Sequence, residues 1–393
     1  MRRPLLAAVG LVAVGALALG ACSSSSSSSK TTTTTAAAAK TIRIGLEGPL
    51  TGDQKDTGTG MLRGAQLAAD ELNGQGGIGG KKVVIVPIDD QADPKVAKAA
   101  AEKAIKSGLD AIVGPYNSGA GLVTLPLYID AGLVPLRLTS SDQTSGLGFT
   151  LQPMTSQIAP VATKAITNDF KAKKVGIIYD TTQDYTTAAN TAMQTQLKAA
   201  GVTITIDEGI EPGAKSYSDT VTKVAATNPD LVYVITYYPE GGLIAKAMYD
   251  AKAKPKCFAD YGAYDPGFIE AAGEAAAKAC PVVGVPAPSD FPDSAAIIAR
   301  FEKTFDDAPG AWSPYTYDSV NVIATVAAKT GFESGALSAG LRAVSGWKGW
   351  TGTVAFEAGS GNRIPAPVTV DSVGADGGYH VDQAWAASVG FAY

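Results

Sequence analysis

A serine at a strand-to-helix turn is the first group in this 393-residue chain equipped to hold an anion. Residues 111–114 (Ala-Ile-Val-Gly) read as a short buried strand, 119–131 as the helix after it, and Ser118 stands at the junction. Its hydroxyl and the Gly119 N–H then lie at a helix N-terminus, where unpaired N–H groups and the helix dipole favour negative charge. The same position also suits a plain N-cap with no ligand. Thr139-Ser140-Ser141-Asp142, after a strand-like stretch at 133–138, places more hydroxyls and one acid on the next such loop. Catalytic chemistry lacks its usual parts. His380 is the single histidine, which excludes His-rich zinc sites and leaves a Ser-His-Asp triad without support; it reads as a surface turn residue. There is no Gly-x-Ser-x-Gly elbow and no Walker A sequence. Gly58-Thr59-Gly60-Met61-Leu62-Arg63-Gly64 resembles a dinucleotide fingerprint, with Asp89 and Asp90 ending the next strand. However, about ten residues separate it from the preceding strand, and its last glycine falls one residue too far on. It reads instead as a flexible loop entering a helix. The expectation is a binder, not an enzyme, with no cofactor and no metal.

The elements that must carry these groups alternate. Residues 42–46 read as a strand and 61–73 as a helix, with Met61, Ala65, Ala68 and Leu72 on one face. Five glycines within 74–80 break it before the strand at 81–88. Asp93-Pro94 opens a helix with Ala97, Ala101, Ala104 and Ile105 at core spacing. After Pro153 the rhythm restarts, with helices at 156–172, 185–200, 216–227 and 240–253. Strands are expected at 174–179, 203–206, 231–235, around Cys257 and at 281–285. Strand, helix and parallel strand in repetition imply doubly wound α/β sheets, whose ligands sit at the carboxyl ends of the strands. Two such runs, a helix-rich stretch at 294–344 and short strands afterwards suggest two Rossmann-like lobes.

The N-terminus indicates an exported protein. Met1-Arg2-Arg3 and an apolar run from Leu5 to Leu19 describe a secretory signal, and the run is too short to span a bilayer comfortably. Leu19-Gly20-Ala21-Cys22 resembles a bacterial lipobox, so residues 1–21 would be a lipoprotein signal peptide and Cys22 would carry lipid. Residues 23–40, seven serines, five threonines, four alanines and two lysines, cannot bury a core and read as part of a tether spanning 22–40. The expected location is the outer face of the cytoplasmic membrane or the periplasmic space. A net charge of −5 without a basic run argues against nucleic acid. Cys257 and Cys280 remain as two free thiols or, in an oxidising compartment, a disulfide. Both stand at the starts of strand-like segments, and neighbouring parallel strands can bring such starts within bonding range.

Five segments in order resemble one family: Ile44 to Gly52 (IGLEGPLTG), Leu72 to Gly80 (LNGQGGIGG), Asp89 to Pro94 (DDQADP), Val113 to Gly119 (VGPYNSG) and Tyr237 to Glu240 (YYPE). Together they resemble the leucine/isoleucine/valine-type solute-binding proteins of ABC importers, of the type I periplasmic-binding fold. The likeness covers nearly all of residues 41–393. It implies two lobes joined by three chain crossings, near Pro153, Pro286–Pro288 and Ile364–Pro367. Lobe 1 would hold 41–153 plus 289–363, and lobe 2 would hold 154–288 plus 364–393. The resemblance also implies a monomer whose partners are permease subunits, with the membrane reached only through the lipid anchor.

The resemblance also implies a site. Ser118 is expected to bind a ligand carboxylate, with Tyr116, Asn117 and Gly119 around it. The 139–142 loop resembles the second carboxylate loop, where Ser140 and Ser141 fit. Asp142 falls where the family has a threonine hydroxyl, so it would turn away or meet a cationic group. Tyr185 and Tyr237 match lobe 2 tyrosines that close over the ligand, and such rings can cover an ammonium. Glu240 is expected to stabilise a helix N-terminus. Two departures matter. The family acid that pairs with the ammonium aligns with Tyr261, although Asp260 is adjacent and could substitute. Thr57 stands where branched-chain binders often carry an aromatic residue. The expected ligand is a small polar molecule, an amino acid first, with an amide, a urea-like compound or an aromatic acid as alternatives. A ligand-sensing lipoprotein would keep the same site, and an exported hydrolase has the least support.

Overall fold

The structure, a computed structural model, describes residues 41–391. The expected signal peptide, Cys22 and the expected tether lie outside the described residues. β1 (Ile42–Gly48) is buried at every position except Arg43, the pattern of a parallel strand covered on both faces. It is flanked by β2 (Val83–Asp89) and β3 (Ala111–Val113), and β4 (Pro135–Arg137) and β5 (Phe149–Thr150) follow, all parallel, in the order β2-β1-β3-β4-β5.

The second sheet repeats this plan. β6 (Lys174–Asp180), β7 (Thr203–Ile210), β8 (Leu231–Ile235), β9 (Lys256–Ala259) and β10 (Val282–Gly284) run parallel in the order β10-β9-β8-β6-β7. Each lobe therefore has a switch point beside its first strand, between β1 and β3 and between β6 and β8. In doubly wound sheets that is where the crevice opens. β11 (Trp347–Gly349) and β12 (Gly352–Val354) form a separate ribbon. β13 (Thr369–Val373) and β14 (Tyr379–Val381) extend the second sheet antiparallel to β10.

Several boundaries differ from the sequence reading. The first helix spans Lys55–Gly74 and starts well before Met61, so the glycine-rich segment is helical and not a loop. Its glycines serve contact. A Cβ on Gly64 would lie 2.2 Å from the Ser313 carbonyl oxygen, and one on Gly58 would lie 2.1 Å from that of Pro49. The helix Ser313–Thr330 packs there, with Ser313 Oγ donating to the Gly60 carbonyl at 2.8 Å and Thr316 Oγ1 to that of Met61 at 2.7 Å. The expected helix at 156–172 is an α-helix at Thr155–Lys164 followed by a π-turn at Ala165–Asp169.

His380 is not in a turn. It lies on β14, its Nδ1 3.0 Å from Asp290 Oδ1 and its Nε2 3.0 Å from Asp376 Oδ2, which ties the 286–290 segment to the C-terminal strands. Cys257 on β9 and Cys280 just before β10 are disulfide-bonded, with Cα atoms 4.6 Å apart. Among the described residues no helix is long and apolar enough to cross a membrane.

Candidate functional site

The lobe 1 wall is built from the loops after β3 and β4. Ser118 is the first residue of the helix Ser118–Asp130 and is buried. Its Oγ accepts a hydrogen bond from the Ser141 N–H at 3.2 Å. This bond fastens the two loops together and leaves the serine hydrogen available to an incoming acceptor. Asn117 donates from Nδ2 to Gln54 Oε1 at 2.9 Å, while its Oδ1 is buried without a protein partner. Ser140 donates to Gln152 Oε1 at 3.3 Å, and Gln152 Nε2 is likewise buried and unpaired.

The lobe 2 wall uses the equivalent loops. Tyr185 follows β6, Tyr237 follows β8, and Tyr261 and Gly262 follow β9. Between the walls lies a small cavity of about 10 Å³, the room of roughly one water molecule, lined by Tyr116, Ser118, Leu138, Ser140, Tyr185, Tyr237, Tyr261 and Gly262. The rings form a continuous aromatic shell. Tyr237 packs 6.0 Å from Tyr116 and 6.2 Å from Tyr185, and Trp312 packs 5.6 Å from Tyr116 and 5.3 Å from Tyr261. Hydrogen bonds outside the cavity also cross between the lobes. Thr57 Oγ1 donates to Asp265 Oδ2 at 2.7 Å, and the Tyr238 hydroxyl donates to the Asp53 carbonyl at 2.9 Å.

No charged side chain lines the cavity. Its hydroxyls stay protonated, because burial raises the pKa of Tyr116, Tyr185, Tyr237 and Tyr261 above the ordinary tyrosine value. Asp260 is buried behind Tyr185 and accepts hydrogen bonds from Tyr185 at 2.7 Å and from Tyr233. Burial raises its pKa, and the hydroxyls of Tyr233 and Tyr185 with the N–H groups of Gly262 and Tyr261 oppose that rise. The resulting site can donate from Ser118 and accept near Tyr185, so it suits a small molecule with an anionic end and a donor end. Among the described residues no group of His, Cys, Asp or Glu could hold a metal ion.

Of the residues singled out by sequence, Tyr116, Ser118, Ser140, Tyr185, Tyr237 and Tyr261 line the cavity together. Asn117, Gly119 and Ser141 stand just outside it. A Cβ on Gly119 would lie 2.5 Å from Asp184 Oδ2, so the bare glycine admits the opposite lobe closely. Asp142 is not at the cavity. It is exposed, and its carboxylate accepts from the Ser156 N–H at 2.9 Å and the Ser156 hydroxyl at 2.7 Å, capping the start of the next helix. Thr57 faces Asp265 and not the cavity. Glu240 opens the helix Tyr238–Asp250 and accepts from the Gly213 N–H at 3.3 Å.

Leu138, Gly262, Trp312 and Tyr233 escaped the sequence reading. Leu138 and Tyr233 lie in or beside apolar strands that read simply as core. Trp312 comes from a distant segment, and only the Pro-Gly-Ala-Trp-Ser-Pro helix entry at 309–314 hinted at a special turn.

Comparison with known proteins agrees with this architecture. The periplasmic binding protein family profile matches residues 41–377. The Leu/Ile/Val-binding protein BraC3 of Rhizobium johnstonii is 36% identical over 217 residues, covering 54% of this chain and 59% of that protein. The chain thus spans about three-fifths of that relative in the alignment. Two solved structures share the fold. The leucine-binding protein LivK of Thermotoga maritima matches with a TM-score of 0.79 at 21% identity, over 87% of this chain and 97% of that one. LivJ of Streptococcus pneumoniae, in complex with isoleucine, matches with a TM-score of 0.77 at 23% identity, over 87% and 99%. With two doubly wound lobes around one buried cavity, and a family match along almost its whole folded length, the chain belongs to the periplasmic binding protein family, in the type I fold of the Leu/Ile/Val-binding proteins.

Proposed function

We propose that this protein is an extracytoplasmic solute receptor that closes on an amino acid and delivers it to the permease of an ABC importer. One observation carries the reading: a buried cavity between the lobes, with the Ser118 hydroxyl at a helix N-terminus on one wall and the Asp260-backed Tyr185 on the other. A zwitterion needs both ends satisfied once it leaves water, because stranding either charge is expensive.

The chain is proposed to cross between lobes near Pro153, Pro286–Pro288 and Ile364–Pro367, and to act as a monomer held at the membrane by lipid on Cys22. No chemistry is assigned to the protein itself. Calorimetric titration against a panel of amino acids, then amides and aromatic acids, tests the ligand class; the reading fails if no amino acid binds. Cys22→Ala is expected to release the protein from the membrane fraction. Retention of that variant after a high-salt wash would remove the lipid anchor from the proposal.

A further inference from the structure

Asp260 sits at the carboxyl end of β9, 1% exposed, and has no ion-pair partner among the described residues. Both of its oxygens are engaged by phenols: Oδ2 by Tyr185 at 2.7 Å and Oδ1 by Tyr233. A tyrosine hydroxyl has one hydrogen to give. Tyr185 spends its hydrogen on Asp260, so towards the cavity its oxygen can only accept. On the facing wall Ser118 already accepts from the Ser141 N–H and is left to donate. The cavity is therefore polarised, with a donor at Ser118 and an acceptor at Tyr185.

We infer that the Tyr233–Asp260–Tyr185 chain is the amine-reading device of this site: Tyr233, which does not line the cavity, fixes Asp260 as the acceptor that orients the Tyr185 hydroxyl, and Tyr185 then receives the ligand's ammonium. This rests on the amino-acid reading above and assigns its selectivity. Tyr233 is a positioning residue in it. Without the Tyr233 hydroxyl one buried carboxylate oxygen loses its donor, and the protonated form of Asp260 gains. A protonated Asp260 can itself donate to Tyr185, which turns the Tyr185 hydrogen towards the cavity and against an ammonium. Tyr261, which follows Asp260 directly, is buried with its pKa raised by burial, so it stays neutral and supplies no replacement charge.

The experiment uses two probes that differ only in the amine, L-leucine and 4-methylpentanoic acid, titrated into the parent protein and into Tyr233→Phe. A carbon-13 NMR titration of the Asp260 carboxyl runs in parallel without ligand. The expected result is that Tyr233→Phe weakens L-leucine about tenfold or more, as for a lost hydrogen bond to a charged group. Binding of 4-methylpentanoic acid should change by no more than about twofold, and the Asp260 titration should move to higher pH. Tyr185→Phe should cause the same selective loss. Equal weakening of both probes, or an unmoved Asp260 titration, would overturn the inference. A parent protein that prefers 4-methylpentanoic acid would overturn the amine assignment while leaving a small-acid receptor standing. If neither probe binds, the amine assignment is overturned as well.

Discussion

Ser118 carries the sharpest residue-level test, because one side chain both ties two loops together and offers a hydrogen to the cavity. Ser118→Ala removes a hydroxyl expected to meet a carboxylate, and a hydrogen bond to a charged group is worth about 1.5–3 kcal/mol. Affinity should fall roughly ten- to a hundredfold, while thermal unfolding stays cooperative. Calorimetry on the ligand found for the parent protein checks this; an unchanged Kd would move the carboxylate site elsewhere. Asp142 shows why residue type alone misleads. Its place in the loop resembled a ligand position, yet Ser156 offers its carboxylate an N–H and an O–H at a helix start. A capping partner in solvent costs the acid far less than burial beside a ligand anion.

At the scale of elements, the same permutation of strands in both lobes makes their loops equivalent. The loop after the third strand supplies Ser118 in one lobe and Tyr237 in the other. The loop after the fourth supplies Ser140 and then Asp260. Lobe 2 adds a covalent tie between the starts of its fourth and fifth strands. The Cys257–Cys280 bond closes 23 residues, so the loop-entropy account assigns it about 3 kcal/mol. Its loss in the Cys257→Ser, Cys280→Ser double variant should lower the denaturation midpoint by a corresponding amount. The tie sits at the strand ends away from the cavity, so ligand affinity should be nearly unchanged. A variant as stable as the parent, or one that fails to bind while folded, would contradict this account. Alkylation of unfolded, unreduced parent protein should find neither Cys257 nor Cys280 free.

Across the whole molecule, buried acids dominate the electrostatics. Burial raises Asp90 to about 7, and Asp265 and Asp318 to about 6, from an ordinary 3.8. Asp90 has one oxygen unpaired, and Glu47 beside it is also raised by burial and by Asp90. In the folded protein these groups keep their protons to higher pH than in the unfolded chain. Their contribution to stability is therefore complete below about pH 4 and is lost as pH rises through 6 to 7. His380, raised chiefly by its hydrogen bond to Asp290, acts in the same direction. The acids shifted the other way, Asp230, Glu333 and Asp376, are exposed and screened. With each pKa unit worth about 1.4 kcal/mol, the melting temperature should be higher at pH 5 than at pH 8, and Asp90→Asn should flatten that dependence. A melting temperature that rises from pH 5 to pH 8 would refute this.

The alternation of strands and helices from residue 42 onward, and the hydroxyl at the strand-to-helix turn of Ser118, were determined by sequence alone. Both are local consequences of hydrophobic period and turn chemistry. Resemblance supplied Tyr185 and Tyr237, whose neighbours in sequence carry recognisable loops. Three things needed the tertiary structure. The early start of the helix Lys55–Gly74 was hidden because glycine has poor helix propensity, and only close approach of the Pro49 carbonyl to Gly58 and of the helix Ser313–Thr330 to Gly64 makes those glycines useful there. His380 reads as a turn residue until β14 and Asp290 meet it from ninety residues away. The Tyr233–Asp260–Tyr185 chain joins the middle of β8 to the segments that follow β9 and β6 in one lobe. Its partners are separated by 27 and 75 residues, and no local pattern records which buried hydroxyl will find which carboxylate, because that choice is made by packing.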